Sequence, residues 1–167
     1  MNIKYAAISF FLSLFLSSLA FAQNDDVISA DKIKEALTPA PRTRGLGGTR
    51  QIEVRPSISL KVGFEFNSVK ITGTGEMQLD ELARALQSPE LAKKRYAVDG
   101  HTDAKGSAEM NQKLSESRAD AVKKYLVDRY GVSESRLVAQ GYGLTKLLQP
   151  SAPYAAENRR VEIVELP

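Results

Sequence analysis

The chain has 167 residues, 43% hydrophobic and 26% charged, with a formal net charge of +3 and a sequence pI near 9.1. Lys and Arg are interspersed with Asp and Glu rather than gathered in a stripe, so the mild basicity is not a nucleic-acid footprint. Cysteine is absent, which excludes a disulfide framework, thiolate chemistry and a lipid-bearing cysteine at a processing site.

Met1 to Ala22 reads as a secretory signal. Lys4 supplies the positive start, Ile8 to Leu19 the apolar core, and Ala20-Phe21-Ala22 a small-x-small cleavage site, so the mature chain is expected to begin at Gln23. The apolar run is interrupted by Ser9, Ser13, Ser17 and Ser18 and is short beside the roughly 20 residues a membrane span needs.

Residues 23–56 read as an amino-terminal arm and linker. Ile28 to Leu37 carries a Ser29 cap and apolar Ile33, Ala36 and Leu37, enough for a short helix that Pro39 and Pro41 end. Arg42 to Thr49 combines arginines with Gly45, Gly47 and Gly48, a flexible basic linker.

Residues 57–167 form the domain proper. Ile58, Leu60, Val62, Phe64 and Phe66 alternate with more polar neighbours, which predicts a strand with one buried and one wet face. Thr72 to Gly75 is a turn, and Leu79, Leu82, Ala83 and Leu86 form the apolar stripe of a helix over Glu76 to Leu86. Arg95 to Gly100 is a second strand. Ser107 or a neighbour caps a long helix running to about Tyr130, and Gly131 reverses the chain into a strand over Leu137 to Gln140. A loop with Pro150 and Pro153 precedes the last strand, Arg160 to Leu166. The order βαβαββ predicts a two-layer α+β sandwich, helices on one face of a mixed sheet, with antiparallel pairing among the late strands.

The chemistry concentrates where Gly100-His101-Thr102-Asp103 leaves a strand and Asn111 to Ala119 lies on the following helix. Asn111 and Arg118 are seven residues apart, about two turns, so their side chains share nearly one face. Asp103 can fold back over both. A carboxylate and a guanidinium facing one small space suit a zwitterion: Arg118 takes a carboxylate as a fork and Asp103 an ammonium.

Gly-His-Thr-Asp, Asn-x-x-Leu-Ser-x-x-Arg-Ala, Gly141-Tyr142-Gly143 and Asn158-Arg159-Arg160-Val161-Glu162-Ile163, in this order, resemble the OmpA-like peptidoglycan-binding domain of OmpA, Pal and MotB-like proteins. That resemblance implies a soluble periplasmic protein that binds the wall through the stem peptide's diamino acid, usually meso-diaminopimelate, without cofactor or metal. It further implies a link to an outer-membrane or other envelope partner through residues 23–56; the alternative is a subunit that works mainly through protein contacts. Carried over by position, Asp103 accepts the ammonium, Arg118 clamps the carboxylate, Asn111 braces the loop, Thr102 donates and Leu114 packs beside the ligand. Asn67 sits where many relatives carry Asp, so it offers a hydrogen bond without charge. Of Arg159 and Arg160 only one can point at the pocket, and Arg160 is the candidate.

An enzyme is not expected. His101 is the only histidine, Ser115 lies within a helix, and a Gly-x-Ser-x-Gly elbow and a second metal-binding histidine are both missing from the sequence.

Overall fold

A computed structural model describes residues 27–38 and 55–167. The expected signal segment and the Arg42 to Thr49 linker lie outside them. The described elements are α1 (Ala30–Leu37), β1 (Ser57–Leu60), α2 (Gly73–Leu86), β2 (Arg95–Gly100), α3 (Ala108–Tyr130), β3 (Leu137–Gly141) and β4 (Val161–Leu166), with short 3-10 turns at Glu134–Arg136 and Ala156–Asn158.

The helices begin and end where local chemistry directs. The Thr72 hydroxyl accepts from the Gly75 amide at 3.3 Å at the start of α2, and Ser107 accepts from Met110 at 3.2 Å at the start of α3. Gly131, at φ 64°, supplies the left-handed residue that stops α3. The α2 stripe of Leu79, Leu82, Ala83 and Leu86 is fully buried. Arg136 caps the other end of that helix, donating to the carbonyls of Leu86, Leu91 and Lys94 at 2.9 to 3.0 Å.

The four strands lie in the order β1-β4-β2-β3. β4 is antiparallel to both β1 and β2, while β3 runs parallel to β2. The late strands therefore do not pair with each other: the 23-residue α3 is a crossover that returns the chain beside β2 in the same direction, and β4 fills the slot between β1 and β2. The sheet is mixed, as expected.

Register puts Ile58, Val98, Ile163 and Ala139 in one row and Leu60, Val161, Gly100 and Gly141 in the next. These rows face the helices, and Leu60, Val98, Val161 and Ile163 are buried there. At the far end of the sheet α3 lies almost on the backbone. A Cβ on Gly100 would collide with the Ser115 carbonyl, and one on Gly141 would lie 2.5 Å from the Glu116 amide. Only glycine permits that approach.

Two element bounds depart from the sequence expectation: α2 begins at Gly73, inside the expected turn, because the Thr72 side chain caps it there, and the first strand is shorter. β1 ends at Leu60 instead of continuing to Phe66. The chain bends around the start of α2, where the Gly63 carbonyl accepts from Thr72 at 3.0 Å, and Phe64 keeps only an isolated bridge to Ile71. Phe66 is 99% exposed, so the alternation that suggested a long strand spans a strand and a tight hairpin. The short helix expected in the arm is present as α1, which packs on α2 and β1, with Ile33 and Leu37 fully buried in the common core.

Candidate functional site

The buried stripe of α3 changes character along its length. Ala119, Val122 and Leu126 fill the core, whereas Asn111 and Ser115, toward the helix start, are the buried polar members. Ser115 accepts from the Gly143 amide at 2.8 Å, and the Asn111 amide group donates to the Lys105 carbonyl at 2.8 Å. Both bonds hold loops that leave the sheet beside this helix.

β2 delivers the next residues. The His101 amide donates to the Arg160 carbonyl at 3.0 Å, the Thr102 amide to Gly143 at 2.9 Å and the Ala104 amide to Pro153 at 2.9 Å. The chain around Asp103 is thereby stitched to three points of the β3–β4 connection, at Arg160, Gly143 and Pro153. Asn158, fully buried, fixes the last of them by accepting from the Gln149 amide and donating to the carbonyls of Ala152 and Pro153. Asp103 Oδ1 accepts from the Lys105 amide at 3.1 Å, a local Asx turn.

These loops border a cavity of about 730 Å³. Asp103, Arg118, Thr102, Asn111, Leu114, Asn67 and Arg160, the residues given a ligand-facing role from the sequence, all line it. Their roles differ. Arg118 is held below its usual value first by burial and then by the nearby Arg159 charge, with Asp103 opposing both. Its Nε donates to the Ser68 carbonyl at 3.2 Å and its guanidinium lies 4.8 Å from the centre of the Phe64 ring. Among the described residues the two Nη groups make no hydrogen bond, which leaves them to a carboxylate fork. Among the described residues the buried Thr102 hydroxyl has no hydrogen-bond partner.

Asn67 adopts φ 47° and stands in the turn closed by the Ser68 amide donating to Glu65 at 3.1 Å. Asparagine tolerates that left-handed conformation.

The arginines exchange places relative to expectation. Arg159 forms the ion pair with Asp103, Nη1 to Oδ2, at 2.8 Å. Arg160 borders the cavity, but its guanidinium is committed to the Lys146 carbonyl at 3.3 Å and to Glu162 at 3.4 Å. Parity explains this. Val161 and Ile163 face the core, so Arg159 shares their side while Arg160 shares that of Glu162. That signal was present in the alternation of β4. Phe64 and the Ser68 carbonyl had none, because they reach Arg118 only through the hairpin.

His101 is 3% exposed. Its ring stacks on Tyr142 with centroids 5.4 Å apart, and Nε2 lies 3.6 Å from Glu162. His101 borders the cavity as well, but its ring is engaged with Tyr142 and Glu162 on the sheet's other face.

An α+β layer pair with a charged cavity at the ends of its strands defines a compact binding domain. The chain belongs to the OmpA family, whose model matches residues 63–160. It is 36% identical over 145 residues to outer membrane porin F of Pseudomonas aeruginosa, an alignment covering 84% of this chain and 40% of that protein. The chain thus spans about two fifths of that relative's length. Among solved structures it resembles the peptidoglycan-associated lipoprotein of Burkholderia pseudomallei, at 29% identity and TM-score 0.53, covering 65% of this chain and 89% of that one. It also resembles the cell wall anchor of the T6SS from Pseudomonas aeruginosa, at 29% identity and TM-score 0.54, covering 67% and 81%. Among the described residues no helix is long and apolar enough to cross a membrane.

Proposed function

We propose that this protein binds peptidoglycan without altering it, by holding the zwitterionic side-chain end of meso-diaminopimelate between Asp103 and Arg118. The observation that carries the reading is that one cavity is lined by both residues, with Asn111 and the start of α3 beside them. Asp103 accepts the ligand ammonium on lone pairs that Lys105 and Arg159 leave over, and the Arg118 fork takes the carboxylate. Thr102 offers its buried hydroxyl to the same ligand, and Leu114 packs against the methylene chain. Asn67 and Arg160 shape the wall, through the turn and through Glu162 respectively.

The relatives named as a peptidoglycan-associated lipoprotein and a cell wall anchor support this reading. So do the energetics. Each charge-assisted hydrogen bond contributes roughly 1.5 to 3 kcal/mol before the desolvation of Asp103 and Arg118 offsets part of it. One stem peptide binds modestly, and the repeating polymer supplies retention by effective concentration. The protein acts in the periplasm after removal of residues 1–22, and residues 23–56 carry the link to an envelope partner.

Co-sedimentation with diaminopimelate-type sacculi tests the reading. Wild-type protein should pellet with the wall, and Asp103→Ala and Arg118→Ala, both folded, should stay in solution. A wild type that does not pellet moves the function to protein contacts within an envelope complex, and release of soluble wall fragments would make it an enzyme.

A further inference from the structure

Phe66 is the most exposed large apolar side chain among the described residues, at 99%, yet the backbone beneath it is tightly held. The Glu65 amide donates to Lys70 at 2.9 Å, the Ser68 amide to Glu65 at 3.1 Å, and Arg118 Nε to Ser68 at 3.2 Å. Asn67, in its left-handed conformation, turns the chain so that the alternation of β1 no longer directs Phe66 toward the core. A braced turn presents this ring to solvent at the edge of the charged cavity. Met110, on the first turn of α3 and 64% exposed, borders the same cavity from another element.

Exposed apolar groups that flank a polar cavity suit a ligand that is charged at one end and apolar beside it. A diamino acid held by its side-chain end has its other end, with its peptide bonds, at the cavity mouth. We propose that Phe66 and Met110 form a second, apolar subsite that takes the alanine joined to the diamino acid in the stem peptide. The inference rests on the reading given under Proposed function. It makes the ligand a short peptide and not the diamino acid alone. The brace also couples the subsites, because the guanidinium that receives the carboxylate holds the turn that carries the ring.

The test is calorimetric titration of the purified protein with two probes, free meso-diaminopimelate and the tetrapeptide L-Ala-γ-D-Glu-meso-diaminopimelate-D-Ala. The wild type should bind the tetrapeptide more tightly. Phe66→Ala should weaken tetrapeptide binding on the order of tenfold and leave the free diamino acid unchanged, with a smaller change of the same kind for Met110→Ala. Both side chains are exposed, so both variants should keep the wild-type circular dichroism. Equal loss for the two probes, or loss for neither, overturns the subsite while leaving the Asp103 and Arg118 site standing. Phe66→Ala that loses sacculi but not the tetrapeptide places the ring on the glycan and also overturns it. A wild type that binds neither probe overturns the subsite together with the reading on which it rests.

Discussion

Asp103 and Arg159, 56 positions apart, meet at 2.8 Å between Oδ2 and Nη1, and so tie the loop after β2 to the start of β4. The carboxylate side chain is 9% exposed and the guanidinium side chain 47%, so solvent screens the pair and its contribution to stability is small, about 1 kcal/mol or less. Its importance is for placement. Asp103→Asn keeps an oxygen for the Lys105 amide and removes the charge. The expected result is a urea midpoint close to wild type and at least a tenfold loss of sacculus retention. Retention equal to wild type would show that the carboxylate charge is not what the wall meets.

Arg118 performs two tasks with different atoms, Nε on the Ser68 carbonyl and the guanidinium plane over Phe64. Lysine keeps the charge but has neither the fixed fork nor the planar face. Arg118→Lys should therefore weaken retention and also loosen the hairpin. Hydrogen exchange at the Glu65 and Ser68 amides, which close that turn, should accelerate in the variant and not elsewhere in the sheet. Unchanged exchange at both amides would remove the brace from the account.

Much of this was legible in the residues. The cap at Ser107, the stop at Gly131 and the stripe of α2 are local, so spacing alone locates them, whereas the first turn of α2, from Gly73, lies within what the glycines mark as a turn. Asp103, Arg118 and Asn111 could be grouped because strand exit and helix face are short-range geometry. The sheet order was not legible, because a crossover helix and a slot between distant strands are decided by packing of the whole layer. The end of β1 was hidden for a related reason: Phe64 and Phe66 continue the period of two through a turn whose direction depends on Asn67. Arg159 was within reach, since Val161 and Ile163 fix the parity of β4. The docking of α1 was not, because it depends on a polar side chain of α2, Gln78, which an apolar stripe does not reveal.

The face of the sheet away from the helices holds a compensated pair of titrating groups. Asp99 stands opposite Glu162 and Gln140, and burial pushes it up to about 6, against the Lys146 charge and with that of Glu162. His101 is pushed down to about 4 by burial and then by Arg160, with Glu162 opposing. The signs are opposite. Between pH 4 and 6 the folded state binds more protons than the unfolded at Asp99, which favours folding as pH falls. At His101 the unfolded state binds more between pH 4 and 6.5, which disfavours folding as pH falls. The wild type should accordingly change little in stability across this window. Asp99→Asn leaves the His101 contribution alone, so its urea midpoint should be raised at pH 7 and fall steadily from pH 6.5 to 4. A flat profile in that variant would show that His101 is not held neutral by the fold.

The side-chain amide of Gln78 meets the backbone of Ile28 as a second peptide group would. Its Oε1 accepts from the Ile28 amide at 2.8 Å and its Nε2 donates to the Ile28 carbonyl at 3.0 Å. Glu81 accepts from the Ala30 amide at 2.8 Å, placing a carboxylate at the start of α1 where the helix dipole favours it. Gln78 is 1% exposed, so truncation strands two backbone groups in a partly buried place. Gln78→Ala should cost about 2 to 3 kcal/mol, and Leu37→Ala, from a fully buried position, about 2 to 5 kcal/mol. Urea unfolding should show both losses with the slope unchanged, because α1 unfolds with the sheet and not before it. If α1 were merely a tether, Leu37→Ala would leave the midpoint where it is. Neither substitution touches the cavity, so each variant, under conditions where it is folded, should pellet with sacculi like the wild type.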